Sequence, residues 1–159
     1  MIEATGDLWA AAKSADALCI TTNGYIKANG CGVMGRGIAK QAKSRIPAIE
    51  RLLGQHLRDN GNHTGMLTMV HYASALPGDP TEGVYVLYAL PVKHTWEQPA
   101  DINLITRSCR ELVDIANELH LHRVLLPRPG CGNGGLTWDV VKPIIAPILD
   151  DRFTVMEWA

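Results

Sequence analysis

The chain predicts an α/β fold, a three-layer α/β/α sandwich on a mixed, mostly parallel central sheet. Three observations carry this reading. Short apolar runs of strand character alternate with segments of helical period, the pattern of successive βα units. One pair of runs, Met66–Tyr72 and Val84–Leu90, is joined by a turn built on Pro77-Gly78-Asp79-Pro80 instead of by a helix, which makes the sheet mixed. Two glycine-rich stretches, 29–39 and 126–136, each follow an apolar run and lead into a helical pattern.

In chain order, Ile2 to Thr5 reads as a short first strand, and Gly6-Asp7 turns it into a helix from Leu8 to about Ser14. Ala17 to Thr22 is a buried strand. Val33 to Ile46 repeats its apolar residues at helical spacing, and Pro47 starts another helix through about Asn60, where Gly61-Asn62-His63 breaks it. The strand pair at 66–90 follows. Ile102 to Leu119 places Ile102, Ile105, Cys109, Leu112, Val113, Ala116 and Leu119 on one face of an amphipathic helix. Val124–Leu126 is the next strand, Trp138 to Leu149 a helix interrupted by Pro143 and Pro147, and Phe153–Glu157 a final strand.

At 159 residues, the span 1–159 is expected to form a single domain with room for a core. Hydrophobic residues at 47% and charged residues at 19% fit an ordinary globular protein. A net charge of −1 supplies no general attraction to nucleic acid or membrane, so any nucleic-acid contact has to be local. With neither a signal peptide nor a membrane span in the sequence, the expected location is the reducing cytoplasm. The four cysteines, Cys19, Cys31, Cys109 and Cys131, have no metal-ligand spacing, and no His/Cys/Asp cluster implies a metal or other cofactor. Cys19 and Cys109 sit in apolar patterns and read as reduced core residues. Cys31 and Cys131 lie in the glycine loops, where a small side chain suits tight packing and a catalytic thiol is the rival reading.

A strand that breaks into glycines and then enters a helix builds an anion site. Glycines let the backbone approach a ligand, and N–H groups at the helix start point at phosphate. The first such loop is Asn29-Gly30-Cys31-Gly32-Val33-Met34-Gly35-Arg36-Gly37-Ile38-Ala39, and the second is Arg128-Pro129-Gly130-Cys131-Gly132-Asn133-Gly134-Gly135-Leu136. Two loops at one sheet edge suggest a pyrophosphate, or a nucleotide with a distal sugar. Neither is a P-loop, because Gly-Lys-Ser/Thr never occurs. Gly30 to Gly35 reads G-x-G-x-x-G, but no acidic residue follows at the ribose spacing.

Both loops, their order and their strand contexts resemble the macrodomain family of ADP-ribose-binding modules. The resemblance begins at Gly6-Asp7-Leu8, runs through 29–39, and is most specific at Leu90-Pro91-Val92-Lys93-His94-Thr95-Trp96 and at Gly130–Trp138. Those last two segments look like the subclass that contains the DNA ADP-ribosyl glycohydrolase antitoxins and the terminal ADP-ribose protein glycohydrolase. The resemblance implies that Asp7, beside Leu8, accepts a hydrogen bond from the adenine amine, a role compatible with capping the first helix. It implies that backbone amides at Gly32, Val33, Met34 and Gly35 hold one side of the pyrophosphate and distal ribose. Those of Gly130, Cys131, Gly132, Asn133, Gly134, Gly135 and Leu136 hold the other. Asn29 resembles the family asparagine near the distal ribose, with Asn23 as second candidate. The stretch Asn23-Gly24-Tyr25-Ile26-Lys27-Ala28 is extra loop relative to the shorter family pattern.

Lys93 is the expected catalytic residue. A lysine beside the anomeric carbon can attack the opened sugar as an amine or stabilise charge on the leaving group. Relatives acting on protein pair this lysine with an aspartate in the second loop; here the corresponding position is Gly134, which favours the DNA-directed branch. His94 adjoins Lys93, but neighbours on an extended segment face opposite sides. Trp96 is the tryptophan expected to line the ligand edge or stack on a base. Arg36 and Arg128 sit within the two glycine loops and could approach phosphate, with a solvated surface arginine as the equal alternative. The implied function is removal of ADP-ribosyl groups from a modified macromolecule, a DNA base ahead of a protein carboxylate. A non-catalytic ADP-ribose reader and a hydrolase of ADP-ribose 1″-phosphate or O-acetyl-ADP-ribose are the alternatives. The implied partners are ADP-ribose or ADP-ribosylated DNA or protein, with room for a separately encoded ADP-ribosyltransferase, and neither membrane nor metal.

Overall fold

A computed structural model describes residues 1–158. Its elements are β1 (Ile2–Gly6), α1 (Leu8–Ala12), β2 (Ala17–Asn23), α2 (Gly37–Arg45), α3 (Ile49–Asn60), β3 (Gly65–Ala73), β4 (Glu82–Lys93), α4 (Ile102–Leu119), β5 (Val124–Pro127), α5 (Trp138–Ile145) and β6 (Phe153–Trp158). The strands form one sheet in the order β1-β6-β5-β2-β4-β3. Every pairing is parallel except β3 with β4, so the predicted hairpin supplies the single antiparallel edge.

The strands sort their side chains to two faces with a period of two. Leu18 and Ile20 of β2, Leu87 and Ala89 of β4 and Leu125 of β5 join the core formed with α1, α2 and α3. Their neighbours Ala17, Cys19, Tyr88, Leu90, Val124 and Leu126 join a second core with α4 and α5. Both faces of the inner strands are buried, which is why β2, β4 and β5 read as continuous apolar runs instead of alternating ones. Burial pushes the Cys109 thiol up to about 12 and raises that of its neighbour Cys19 further. Both remain protonated core residues.

Several details depart from the sequence expectation: α5 ends at Ile145 instead of Leu149 and carries Pro143 within it, and three others follow. The segment from Val33 to Arg36 is irregular, not helical, and α2 starts only at Gly37, after the extended cap residue Arg36. Two hydrogen bonds hold its start: Gly32 N–H donates to Glu50 O (2.8 Å), and Asn23 Nδ2 donates to Val33 O (3.1 Å). Strand β4 continues through Pro91 to Lys93 instead of stopping at Leu90. Beyond Ala89 it has lost its partner β3 and pairs with β2 alone, so the missing N–H of Pro91 falls on a locally open edge. Leu119, expected on the buried face of α4, is exposed at the last helical position before the left-handed cap His120. Among the described residues no helix is long and apolar enough to cross a membrane.

Candidate functional site

The carboxyl ends of β2, β4, β5 and β6 open into one cleft of about 650 Å³. This is the edge where open α/β sheets bind ligands, and the volume lies within the range of small-molecule sites. Its floor comes from Thr21 to Asn23, Val92 and Lys93, Pro127, and Met156 to Trp158. The two glycine loops and the start of α2 form the walls, and Leu8 of α1 closes the first core beneath them.

The first wall is an amide surface. Val33, Gly35, Arg36, Gly37, Ile38 and Ala39 line it. Arg36 is the N-cap of α2, offers no side-chain cap, and no acidic residue occupies the first turn. The leading N–H groups of α2 are therefore left for an anion, and the N–H group of Gly35 has no protein acceptor among the described residues. The second wall is a folded-back turn. Leu136 N–H donates to Gly130 O, Gly135 N–H to Gly132 O and Ala100 N–H to Gly134 O, at 3.0, 3.0 and 2.9 Å. The carbonyls are thereby engaged and the Cys131–Leu136 bridge occupies Gly132 N–H, while the N–H groups of Asn133 and Gly134 find no acceptor among the described residues. A Cβ at Gly134 would collide with the Gly130 carbonyl and stand 2.8 Å from Ala100 Cβ, so this turn admits no side chain there. The walls meet at the far side, where a Cβ on Gly37 would lie 3.9 Å from Asn133 Nδ2.

Of the residues expected at the site, Leu8, Val33, Gly35, Lys93, Gly130, Cys131, Gly132, Asn133 and Gly134 line the cleft. Six others do not. Asp7 stands just outside as the cap of α1, its Oδ1 accepting from Trp9 N–H (2.8 Å) and Ala10 N–H (3.4 Å). Asn29 is exposed and turned back on its own loop, Oδ1 accepting from Cys31 N–H (3.0 Å). Gly32 is buried against Leu53, and Met34 is in the first core. Gly135 and Leu136 lie behind the turn, with Leu136 packed on the second core.

The asparagine in the cleft is Asn23, at the end of β2. It holds both ends of the first loop: Nδ2 on Val33 O and Oδ1 on Tyr25 N–H (3.1 Å). Sequence reasoning missed Thr21, Thr22, Gln41, Glu157 and Trp158. Thr22 is 4% exposed with an Oγ1 that has no hydrogen-bond partner, an orphan hydroxyl in the cleft floor. Its signal was available, because a polar pair, Thr21-Thr22, at the end of an apolar strand marks where the strand leaves the core.

Lys93 ends β4 opposite Asn23 in the parallel register. Its ammonium end makes no ion pair or hydrogen bond among the described residues, whereas its backbone is braced on every side. Asn62 Nδ2 donates to Lys93 O (3.0 Å), Gly24 N–H donates to His94 O (3.1 Å), and Asp101 N–H donates to Val92 O (2.9 Å). His94 faces away from the cleft, its Nε2 2.7 Å from Asp101 Oδ2. The hydrogen bond from His94 holds the Asp101 carboxyl below the usual carboxylate range, helped by Asn103 N–H, which Asp101 caps at the start of α4.

Of the other charges in the cleft, Arg36 has no ion-pair partner among the described residues, whereas Arg128 and Glu157 are tied to each other. Arg128 pairs with Glu157 (3.2 Å) and stacks 5.0 Å from the centre of the Trp138 ring. Glu157 is the one carboxylate among the cleft-lining residues, and that pairing engages it. Burial raises the Cys131 thiol, against a smaller opposing pull from Arg128, which weakens it as a nucleophile. Among the described residues no group of three His, Cys, Asp or Glu is placed to hold a metal ion.

Comparison with known proteins adds three findings. A family model described as Macro domain matches residues 27–145. The DNA ADP-ribosyl glycohydrolase of Thermus aquaticus is 30% identical over 138 residues, 82% of this chain and 34% of that protein. The chain spans about a third of the length of the curated relatives it matches. Among solved structures, the macrodomain of Mycobacterium tuberculosis DarG superposes with a TM-score of 0.70 at 27% identity, covering 99% of this chain and 97% of that one. Thermosipho africanus DarTG in complex with ADP-ribose shares the fold with a TM-score of 0.70 at 20% identity, over 96% of this chain and 40% of that one.

Proposed function

The chain belongs to the Macro domain family, and we propose that it binds ADP-ribose in this cleft, as one module, and hydrolyses the bond from the distal ribose to a base of DNA. The observation that carries the chemistry is Lys93: an unpaired amine on a braced strand end, in a cleft whose one carboxylate is held by arginine. A two-carboxylate glycosidase needs a free acid and a free base flanking the bond. This cleft offers neither, so the reacting group is the lysine. The relatives named as DNA ADP-ribosyl glycohydrolases support the substrate class.

In the proposed pose the pyrophosphate lies between the two amide walls, on the N-terminus of α2 and the N–H groups of Asn133 and Gly134. The adenine end extends toward Leu8 and Trp158, and the distal ribose toward Thr22, Asn23 and Lys93. Thr22 Oγ1 gains a sugar hydroxyl as its missing partner. Hydrolysis breaks the C1″–base bond, water supplies the oxygen that ends on C1″, and the base leaves with a proton. Lys93 has two routes to this outcome. As an amine it adds to C1″ of the opened sugar, expels the base as a Schiff base forms, and is released by water. As an ammonium it protonates the leaving base.

Lys93→Ala is expected to slow release of ADP-ribose from an ADP-ribosylated single-stranded oligonucleotide by roughly a hundredfold or more, with the affinity for free ADP-ribose by calorimetry unchanged. Borohydride added during turnover traps a covalent adduct at Lys93 on the amine route and none on the ammonium route. A wild-type protein that binds ADP-ribose yet releases nothing from the oligonucleotide is a reader, and the hydrolase reading falls. The partner this reading calls for is an ADP-ribosyltransferase activity that installs the group.

A further inference from the structure

The four tryptophans divide into two kinds. Trp9 is 4% exposed, donates its indole N–H to Gln41 Oε1 (2.8 Å) and lies under Arg45, 4.7 Å from its ring centre. Trp138 donates to Glu3 Oε1 (2.9 Å) and carries the Arg128 guanidinium on its ring. Trp96 and Trp158 are 51% and 49% exposed, have no hydrogen-bond or cation–π partner among the described residues, and both line the cleft. They stand at opposite ends of it. Trp158 closes β6 and Trp96 follows β4, three strand positions away across β5 and β2, or about 14 Å at the spacing of neighbouring strands. An extended ribose–diphosphate–ribose bridge spans a gap of that order.

Resting on the proposed reading of the cleft, we infer that Trp96 is the stacking plate for the nucleobase joined to the distal ribose, so that the cleft grips its substrate by an aromatic plane at each end. An ADP-ribosylated base is the modified group with a flat ring at both termini; an ADP-ribosylated carboxylate side chain has only the adenine. Trp96 sits three residues from Lys93 on a turn held by Gly24 N–H on His94 O and by the His94–Asp101 pair. An exposed indole on a braced turn loses little freedom when a base lands on it, which is what a stacking platform requires. The extra loop beginning at Asn23 is the element that supplies the Gly24 brace. Position 134 adds nothing on the opposite side, since the turn there has no space for a side chain. Base recognition in this cleft therefore falls to the ring, not to a second charged group.

The test uses an ADP-ribosylated thymidine oligonucleotide and free ADP-ribose on a Lys93→Ala background, so that binding is read without turnover. Adding Trp96→Ala is expected to weaken binding of the modified oligonucleotide about tenfold, within the range of one base–aromatic stack, and to leave free ADP-ribose within twofold. Trp96→Phe restores most of the loss, because a phenyl ring still stacks whereas a merely structural role would not be rescued. In the active protein Trp96→Ala raises KM on the oligonucleotide with kcat nearly constant. Equal affinities of Lys93→Ala and the double variant for the modified oligonucleotide overturn the plate while leaving the hydrolase reading intact. Loss of oligonucleotide turnover in wild type, with the tenfold Trp96 effect on binding still present, overturns hydrolysis and keeps the plate.

Discussion

Asparagines 23 and 29 illustrate what a single residue can and cannot disclose. Both precede glycine, and turn chemistry explains either one. Counting back from the Gly32-Val33-Met34-Gly35 run points to Asn29, but the structure leaves Asn29 exposed on its own loop and puts Asn23 in the cleft. The difference arises because the extra loop is closed by an Ile26–Gly32 bridge, which returns the chain to the sheet edge beside Asn23. No local pattern reveals a bridge of that kind. Asn23→Ala removes two hydrogen bonds of a nearly buried side chain, Nδ2 to Val33 O and Tyr25 N–H to Oδ1. It is expected to lower stability by about 1–3 kcal/mol in urea unfolding and to weaken ADP-ribose binding several-fold by calorimetry. Asn29→Ala is expected to stay within about 0.5 kcal/mol, as exposed positions do. The second loop was legible as a turn, because Gly130, Gly132 and Gly135 take positive φ and Gly134 has no room for a side chain, although Gly135 lies outside the cleft.

Elements with a strong period were the easiest to read. The span Ile102–Leu119 is found as α4 with both expected ends, since Asp101 caps one and the left-handed His120 stops the other. The Val33–Ile46 helix was overextended because Val33 and Met34 continue the spacing of Ile38 and Ala42. Met34 is indeed buried, but in an irregular segment. Pro91 hid the end of β4, because a proline reads as a stop unless the neighbouring strand is known to have ended. The turn that follows β4 depends on the start of α4 through His94 and Asp101, and this coupling is sensitive to acid. The folded-state Asp101 carboxyl lies below its unfolded value, so its contribution is complete above about pH 4. It is lost as pH falls through the depressed folded value. Asp101→Asn keeps a cap acceptor but removes the charge opposite His94. The variant is expected to lose the part of the acid-unfolding transition that falls in that window, and to show faster amide exchange at residues 93–96 at neutral pH.

At the scale of the molecule, the alternation of helix and strand was sufficient for the sandwich, and the hairpin for the antiparallel edge. The order β1-β6-β5-β2-β4-β3 was not legible. It depends on which strands share two apolar faces, and several strands of this chain meet that condition equally. The cleft inherits this topology. Its amide wall from 33–39 is contributed before β3, while Lys93 at the end of β4, and Trp96, the second wall and Trp158 after it, are contributed beyond the hairpin. The two groups are separated in sequence by the exposed turn 74–81, at the edge of the sheet and away from the cleft. A backbone cut in that turn would leave neither fragment with both phosphate walls. Co-expressed fragments are expected to regain ADP-ribose affinity only on re-forming the β2–β4 and β3–β4 ladders, and either fragment alone to give no calorimetric signal. The fold thus already has the layout of a split sensor, in which the nucleotide diphosphate sugar reports the reunion of two half-chains.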